Sequence, residues 1–258
     1  MDRRPAGYTA AMTTHPGTPL PDLLAERRRD RLDLGPADAV ADAVAEMVAH
    51  PDYPCLGARS VFRRDAVTSV VLEDLTDTSP DGSLDWLGAL LREYASQVDP
   101  TGDLVSFVAC FRRGAGDDET AFESALWGAL QHLHDHDGRP WADGVSDDPV
   151  DPHFAFSVDG TAFFVVGLHP HASRIARRAP VPTLVFNLHE QFERLRRDGR
   201  YGRMRDTIRR RDTDLQGTPN PMALDHGESS EARQYSGRAV PAGWSPPFHT
   251  APTDEDPA

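Results

Sequence analysis

Two histidines stand where chemistry is easiest to place. The run Ala162-Phe-Phe-Val-Val166 leads through Gly167-Leu168 into His169, and Pro170 follows at a position that suits a first helical residue, since its missing N–H costs nothing there. A second β-type run, Thr183 to Phe186, delivers His189 to the next helix start. Each histidine thus ends a strand and precedes a helix, and side chains at strand ends can meet in a site carried on loops. Imidazole is a common ligand for iron or zinc, so His169 and His189 are candidate metal ligands, with His171 nearby. The alternative is that both are polar residues capping helix starts.

A second constellation lies in Leu215-Gln-Gly-Thr-Pro-Asn-Pro-Met222 and the residues from Asp225 to Tyr235. Its amides, carboxylates, arginine and tyrosine show no apolar periodicity, the composition of a binding loop or of a solvated one. Asp225, Glu228 and Glu231 could grip a cationic group such as a guanidinium by bidentate hydrogen bonds. Equally, they could offset the arginines of residues 171–211 in ion pairs. The third candidate is Tyr53-Pro54-Cys55, where a thiolate would suit haem ligation and oxygen activation, against the plainer reading of a packed free thiol.

The elements that must position these residues follow from periodicity and turn signals. Helices are expected over residues 32–50, 84–97, 120–136, 170–178, 188–197 and 201–211, and strands over 66–72, 104–111, 153–158, 161–168 and 183–187. Residues 51–60 read as a turn-rich loop. Asp117 and Asp118 offer N-caps to the third helix. Asp159-Gly160 between two β-type runs signals a tight hairpin. Alternation places Ser106, Val108 and Cys110 on one face of their strand. His132, His134 and His136 spread around a helix, which does not suit a shared metal. One strict hairpin among irregularly alternating helices and strands predicts a single α+β domain with a mixed, partly antiparallel sheet flanked by helices. That domain is expected over residues 22–248, with a disordered segment 1–21 before it and an acidic disordered tail, 249–258, after it.

Composition removes several mechanisms. The 258 residues include 27 basic ones, every one an arginine, so Schiff-base, pyridoxal-phosphate and phosphate-loop lysines are impossible. Two cysteines make neither a disulfide framework nor a structural zinc cluster. The net charge of −14 argues against nucleic acid as a partner for the whole molecule. Residues 171–211 nevertheless hold twelve arginines against four acids, a local +8. No stretch reaches the roughly 18 apolar residues of a membrane span, and the N-terminus lacks an apolar signal region. A soluble cytoplasmic protein is expected.

Taken together, these motifs resemble the YqcI/YcgG family, whose members are also called FPC/CPF motif-containing proteins. The matching pieces are Gly167-Leu-His-Pro170, Ser173-Arg174, Ala176-Arg-Arg178, Leu184-Val-Phe-Asn187, His189, Gln191-Phe-Glu193, Arg211-Asp212, Leu215-Gln-Gly217, Asn220-Pro-Met222, Glu228 and Ser230 through Gly237. The likeness covers residues 45–248 and departs at both name-giving motifs, where Tyr53-Pro-Cys55 and Pro246-Pro-Phe248 stand for Phe-Pro-Cys and Cys-Pro-Phe. It implies a haem-dependent N-oxygenase that uses O2 and an electron donor to hydroxylate a guanidine or amine nitrogen of arginine or an arginine-like amino acid, in natural-product biosynthesis. Under that resemblance His169 is the expected ligand to the iron of haem b, with His189 second. Arg174 and Arg178, one helical turn apart, would hold the haem propionates. Asp225, Glu228 and Glu231 would orient the guanidinium, with Gln216, Asn220 and Tyr235 as further substrate contacts. A homodimer is a candidate assembly. Two other classes compete: a non-catalytic protein binding an anion or partner through its arginines, and a non-haem iron oxygenase using His169, His189 and a carboxylate.

Overall fold

The structure is a computed structural model that describes residues 2–3, 17–30, 32–222 and 227–250. It is α+β, as expected. The order of elements is β1 (Asp2–Arg3), α1 (Leu20–Arg29), α2 (Ala37–Ala49), α3 (Leu56–Arg63), β2 (Val67–Asp74), α4 (Ser83–Gln97), β3 (Ser106–Arg113), α5 (Glu119–Asp135), β4 (Phe156–Val158), β5 (Thr161–Leu168), β6 (Thr183–Leu188), α6 (His189–Arg197), α7 (Tyr201–Gln216) and the short α8 (Ala232–Tyr235). Most of the expected disordered segment and tail lies outside the described residues, and the first described helix begins at Leu20, which is fully buried.

The sheet runs β1-β2-β3-β6-β5-β4. Only β2 and β3 are parallel, joined through α4; the other pairs are antiparallel. Pleat alternation gives the sheet two cores. Phe107, Ala109, Phe111, Phe163, Val165, Leu184 and Phe186 face α4 and α5. Val71, Val108, Cys110 and Leu168 face α1 and α2, which places Cys110 beside Val108 as the alternation requires. The Asp159-Gly160 hairpin forms as read, with φ of 53° and 70° at its two centre residues, the left-handed pair such a turn needs. Asp118 caps α5 by accepting the Ala121 N–H at 2.8 Å.

Three local expectations give way. The helix expected from residue 32 starts at Ala37, because Pro36 restricts the residue before it and donates no N–H. The second half of the expected loop 51–60 is helical instead, the start of α3, whose N-cap is Cys55. The helix expected over 170–178 is reduced to a single 3-10 turn, Ile175–Arg177. Its backbone is engaged elsewhere: His169 N–H donates to Arg177 O, and Ile175 N–H to the Gln216 side chain.

Gly167 owes its identity to close packing. A Cβ there would lie 2.5 Å from Leu126 Cδ1, 2.8 Å from Phe122 Cε1 and 2.8 Å from the Tyr235 carbonyl oxygen. The first two atoms belong to fully buried side chains of α5, and the third is backbone, so none can retreat freely. Gly167→Ala is expected to destabilise the fold by about 3 kcal/mol through overpacking, measured as a drop in the urea midpoint at unchanged m-value.

Candidate functional site

On the face of the sheet away from α4 and α5, the strands do not meet their helices closely. A cavity of 280 Å³ remains between β3, β5 and β6 on one side and α2, α3, α6 and α7 on the other. Its walls are mostly aliphatic and aromatic, including Val48, Val61, Val108, Phe164, Val166 and Phe192. One side of α7 is written for it: Tyr201, Met204, Arg205, Ile208, Arg209 and Asp212, spaced three and four apart, all line the cavity.

Cys55 opens into this space from the N-terminus of α3. Its Sγ accepts the Ala58 N–H at 3.4 Å. Burial raises the thiol pKa, while backbone N–H groups of Ala58 and Gly57 and the charge of Arg177 act against it, so the free thiol is protonated. Around it lies a small set of polar groups. Arg174 donates to Asp212 Oδ2 at 2.5 Å and to the carbonyls of Thr218 and Pro219 at 3.1 and 3.3 Å. Its Nε is buried without a hydrogen-bond partner among the described residues. Arg177 is fixed by the Gly167 carbonyl at 3.0 Å. Burial lowers its pKa, countered in part by Tyr53, Cys55 and Asp212. Asn187 receives the Ser106 hydroxyl at 2.7 Å on the floor of the cavity. Cavity-lining charge is therefore weighted to guanidinium: Arg174, Arg177, Arg205 and Arg209 against Asp212.

The histidines do not share a site. Strands β5 and β6 are antiparallel, with Leu168 opposite Thr183 and Phe163 opposite Leu188. His169 and His189 therefore leave opposite ends of the sheet, roughly 24 Å apart along the strands at ordinary strand rise. Common ligation of one iron by both, with or without a carboxylate, is ruled out by that register. Alternation also turns His169 away from the cavity, since Phe164, Val166 and Leu168 take the other face. His169 is 1% exposed, stacks on Phe122 with ring centres 4.2 Å apart, and its Nδ1 has no partner among the described residues. Burial first, then the charges of His171, Arg177 and Arg28, lower its pKa to about 4, so the ring is neutral. His189 lines a separate cleft with Glu193, whose Oε1 lies 3.6 Å from its Nε2.

The other expected residues also divide. Arg174 and Asn220 line the cavity. Arg178 does not: with no helix to align it with Arg174, it donates to the carbonyls of Ala172 and Ser173 beside an open cleft that includes Arg28 and His171. Gln216 is spent on the backbone, accepting from Ile175 N and donating to Ser173 O. Glu228 is exposed, beside a groove near Trp244. Asp225 lies outside the described residues. Glu231 and Tyr235 meet each other instead, the phenol donating to Glu231 Oε1 at 2.6 Å and accepting from Phe156 N at 3.2 Å. Tyr53, Arg177 and Asp212 are cavity groups with no role assigned from sequence, whereas Cys55 is the candidate thiolate of the Tyr53-Pro54-Cys55 motif. The three-and-four spacing from Tyr201 to Asp212 was the available signal for the α7 wall.

Buried Glu231 gives a pH test. Burial, opposed mainly by the Tyr235 hydrogen bond, raises its pKa from 4.5 to about 8. Between those values the folded chain holds a proton that the unfolded chain has lost. Stability from this group is thus present in full at low pH and falls as pH rises, by about 1.4 kcal/mol per unit. The loss ends near pH 8. Glu231→Gln is expected to flatten the wild-type decline in urea midpoint across that window; an identical decline in the variant would place the proton elsewhere.

A family profile described as the YqcI/YcgG family matches residues 44–249. Among curated proteins, the chain is 29% identical over 213 residues to a Streptomyces lavendulae protein named "Putative N(omega)-hydroxy-L-arginine synthase DcsA", covering 77% of each chain. It is 26% identical over 168 residues to "Uncharacterized protein YqcI" of Bacillus subtilis (strain 168), covering 62% of this chain and 64% of that one. The chain thus spans a little under two thirds of the length of YqcI. No solved structure matches the chain. Among the described residues, no helix is long and apolar enough to cross a membrane.

Proposed function

The chain belongs to the YqcI/YcgG family, and from that premise we propose that it is a haem-dependent oxygenase that hydroxylates a nitrogen of arginine or an arginine-like amino acid. The observation that carries this reading is the pairing of a sulfur donor, Cys55, with guanidinium groups across one apolar cavity. Haem asks for that donor set: an axial ligand, apolar walls for the porphyrin, and cations for two propionates. Cys55 replaces His169 and His189 as the proposed iron ligand, since no histidine lines the cavity among the described residues. Iron binding would deprotonate the thiol outright, despite the burial that keeps it protonated when free. Arg174, through its unpartnered Nε, and Arg177 would hold the propionates.

Bound there, haem would supply the oxidising power that puts one atom of O2 into an N–H bond. The chain does the rest. Its aliphatic walls keep water from the reacting nitrogen. Asp212 offers the carboxylate that receives a guanidinium, and its bond to Arg174 fixes where that carboxylate points. Asn187, Asn220 and Gln234, all on the cavity wall, supply neutral hydrogen bonds for orientation. The name carried by the Streptomyces relative supports arginine as the first substrate to try.

The test is an absorption spectrum of protein supplied with haem, titrated with arginine. A Soret band that shifts saturably with arginine is expected. Protein that stays colourless when offered hemin ends the haem reading, and a band indifferent to arginine ends the substrate assignment.

A further inference from the structure

Residues 194–216, to the end of α7, carry nine arginines and four aspartates, +5 on a molecule whose net charge is −14. This charge is not spread evenly in space. Helix α3 packs on α7 and adds Arg59 and Arg63 to the same region. Arg59 and Arg211 both donate to the carbonyl of Pro51, which holds two guanidiniums side by side. Burial lowers the Arg59 pKa, and the nearby charges of Arg211 and Arg63 lower it further, against a weaker pull from Asp52. A surface that crowds like charges in this way stores a preference for anions.

The position of the patch matters as much as its sign. Arg203 and Arg210 are exposed on the back of α7, while Tyr201, Met204, Arg205, Ile208 and Arg209 on its other side line the cavity. Patch and cavity are therefore separated by the thickness of one helix, about 10–12 Å with side chains. The oxygenase reaction needs reducing equivalents at that cavity. In balance, one substrate N–H, one O2, two electrons and two protons give one N–OH and one water. The N–H and O–O bonds break, the N–O bond forms, and the second oxygen atom leaves as water. Two electrons must therefore arrive for every turnover.

Resting on the oxygenase reading above, we propose that the arginine-rich outer face of α3 and α7 is the docking surface for an acidic one-electron carrier protein of the ferredoxin type. Two successive encounters supply one turnover, each oxidising the carrier by one electron. An acidic carrier is repelled by the net negative charge of the molecule and steered to this basic face, where guanidinium groups meet carboxylates in bidentate pairs. A nucleic acid fits less well, because a long polyanion would also run against the acidic remainder of the surface. The exposed Asp198, Asp206 and Asp214 reduce the field of the patch without reversing it.

The test uses the full chain, with and without haem, and an acidic plant-type ferredoxin as the probe. Affinity is read by calorimetry, and the anaerobic reduction rate by stopped flow, across a salt series. The variant is Arg63→Glu, Arg203→Glu and Arg210→Glu together, none of which lines the cavity. Wild-type protein is expected to bind ferredoxin in a salt-sensitive manner, and the variant about tenfold or more weakly with a flattened salt dependence. Reduction by dithionite and the thermal midpoint should not move, which separates docking from damage to fold or cavity. Salt-sensitive binding to a colourless chain, lost in the variant, upholds the docking surface while the haem reading falls. Equal ferredoxin binding by wild type and variant overturns the proposal. So does binding to RNA or anionic vesicles with none to ferredoxin.

Discussion

Cys55→Ser is expected to leave a folded chain that no longer retains haem. The substitution separates two roles of one residue. As an N-cap, Cys55 accepts the Ala58 N–H through sulfur at 3.4 Å. Serine is a better cap than cysteine, so α3 keeps its start and the walls supplied by Ala58, Val61 and Phe62 stay in place. As an iron ligand, serine loses the soft donor that thiolate provides. Loss of a mere outer-shell partner costs a metal site 10–100-fold, so loss of the ligand itself should weaken haem retention by more than about a hundredfold. The measurement is haem per chain after desalting, with circular dichroism as the check on fold. His189→Ala and Cys110→Ser should keep the wild-type band. His169→Ala removes a ring stacked on Phe122 and should cost stability without costing haem. A Cys55→Ser protein with full haem occupancy would move the iron elsewhere.

The second large effect is at Asp212. Arg174 and Asp212 are 9% and 11% exposed at their side chains, so each is the other's main compensation away from water. Asp212→Asn keeps the shape and removes the charge. Breaking one side of a buried pair costs about 3–5 kcal/mol, most of it from the charge left behind. Urea unfolding of Asp212→Asn should show that loss, and Arg174→Met added to Asp212→Leu should recover much of it, because both charges are then gone. A structural pair alone would stop there. The proposed grip on a guanidinium adds that Asp212→Asn, below its unfolding midpoint and still holding haem, no longer shifts its spectrum with arginine. A normal shift would return Asp212 to a purely structural role.

Much of the framework was legible along the chain because its signals are local. The Asp159-Gly160 hairpin, the Asp118 cap, the span of β5 and the two-faced pattern of β3 each depend on a few neighbouring residues and on pleat or helix period. The family resemblance was legible for a related reason: its motifs are contiguous strings. Cys55 was read as a candidate thiolate and set against a packed thiol. Nothing within residues 51–60 says that α7, far along the chain, closes a cavity over it.

What tertiary structure alone decided is direction and depth. A strand that ends in a histidine looks the same in sequence whether its neighbour runs parallel or antiparallel. Had residues 170–178 formed a helix crossing back over the sheet, β5 and β6 would have run parallel and brought His169 and His189 to one edge. Gln216 and Arg177 draw that segment into a short return instead, and antiparallel pairing sends the two rings to opposite ends. In the same way Glu231 and Tyr235, polar residues in a polar stretch, read as substrate contacts until the fold buries them against each other. Chain-local chemistry determined which side chains could bind iron or a guanidinium. Strand pairing and burial determined which of them face the same space.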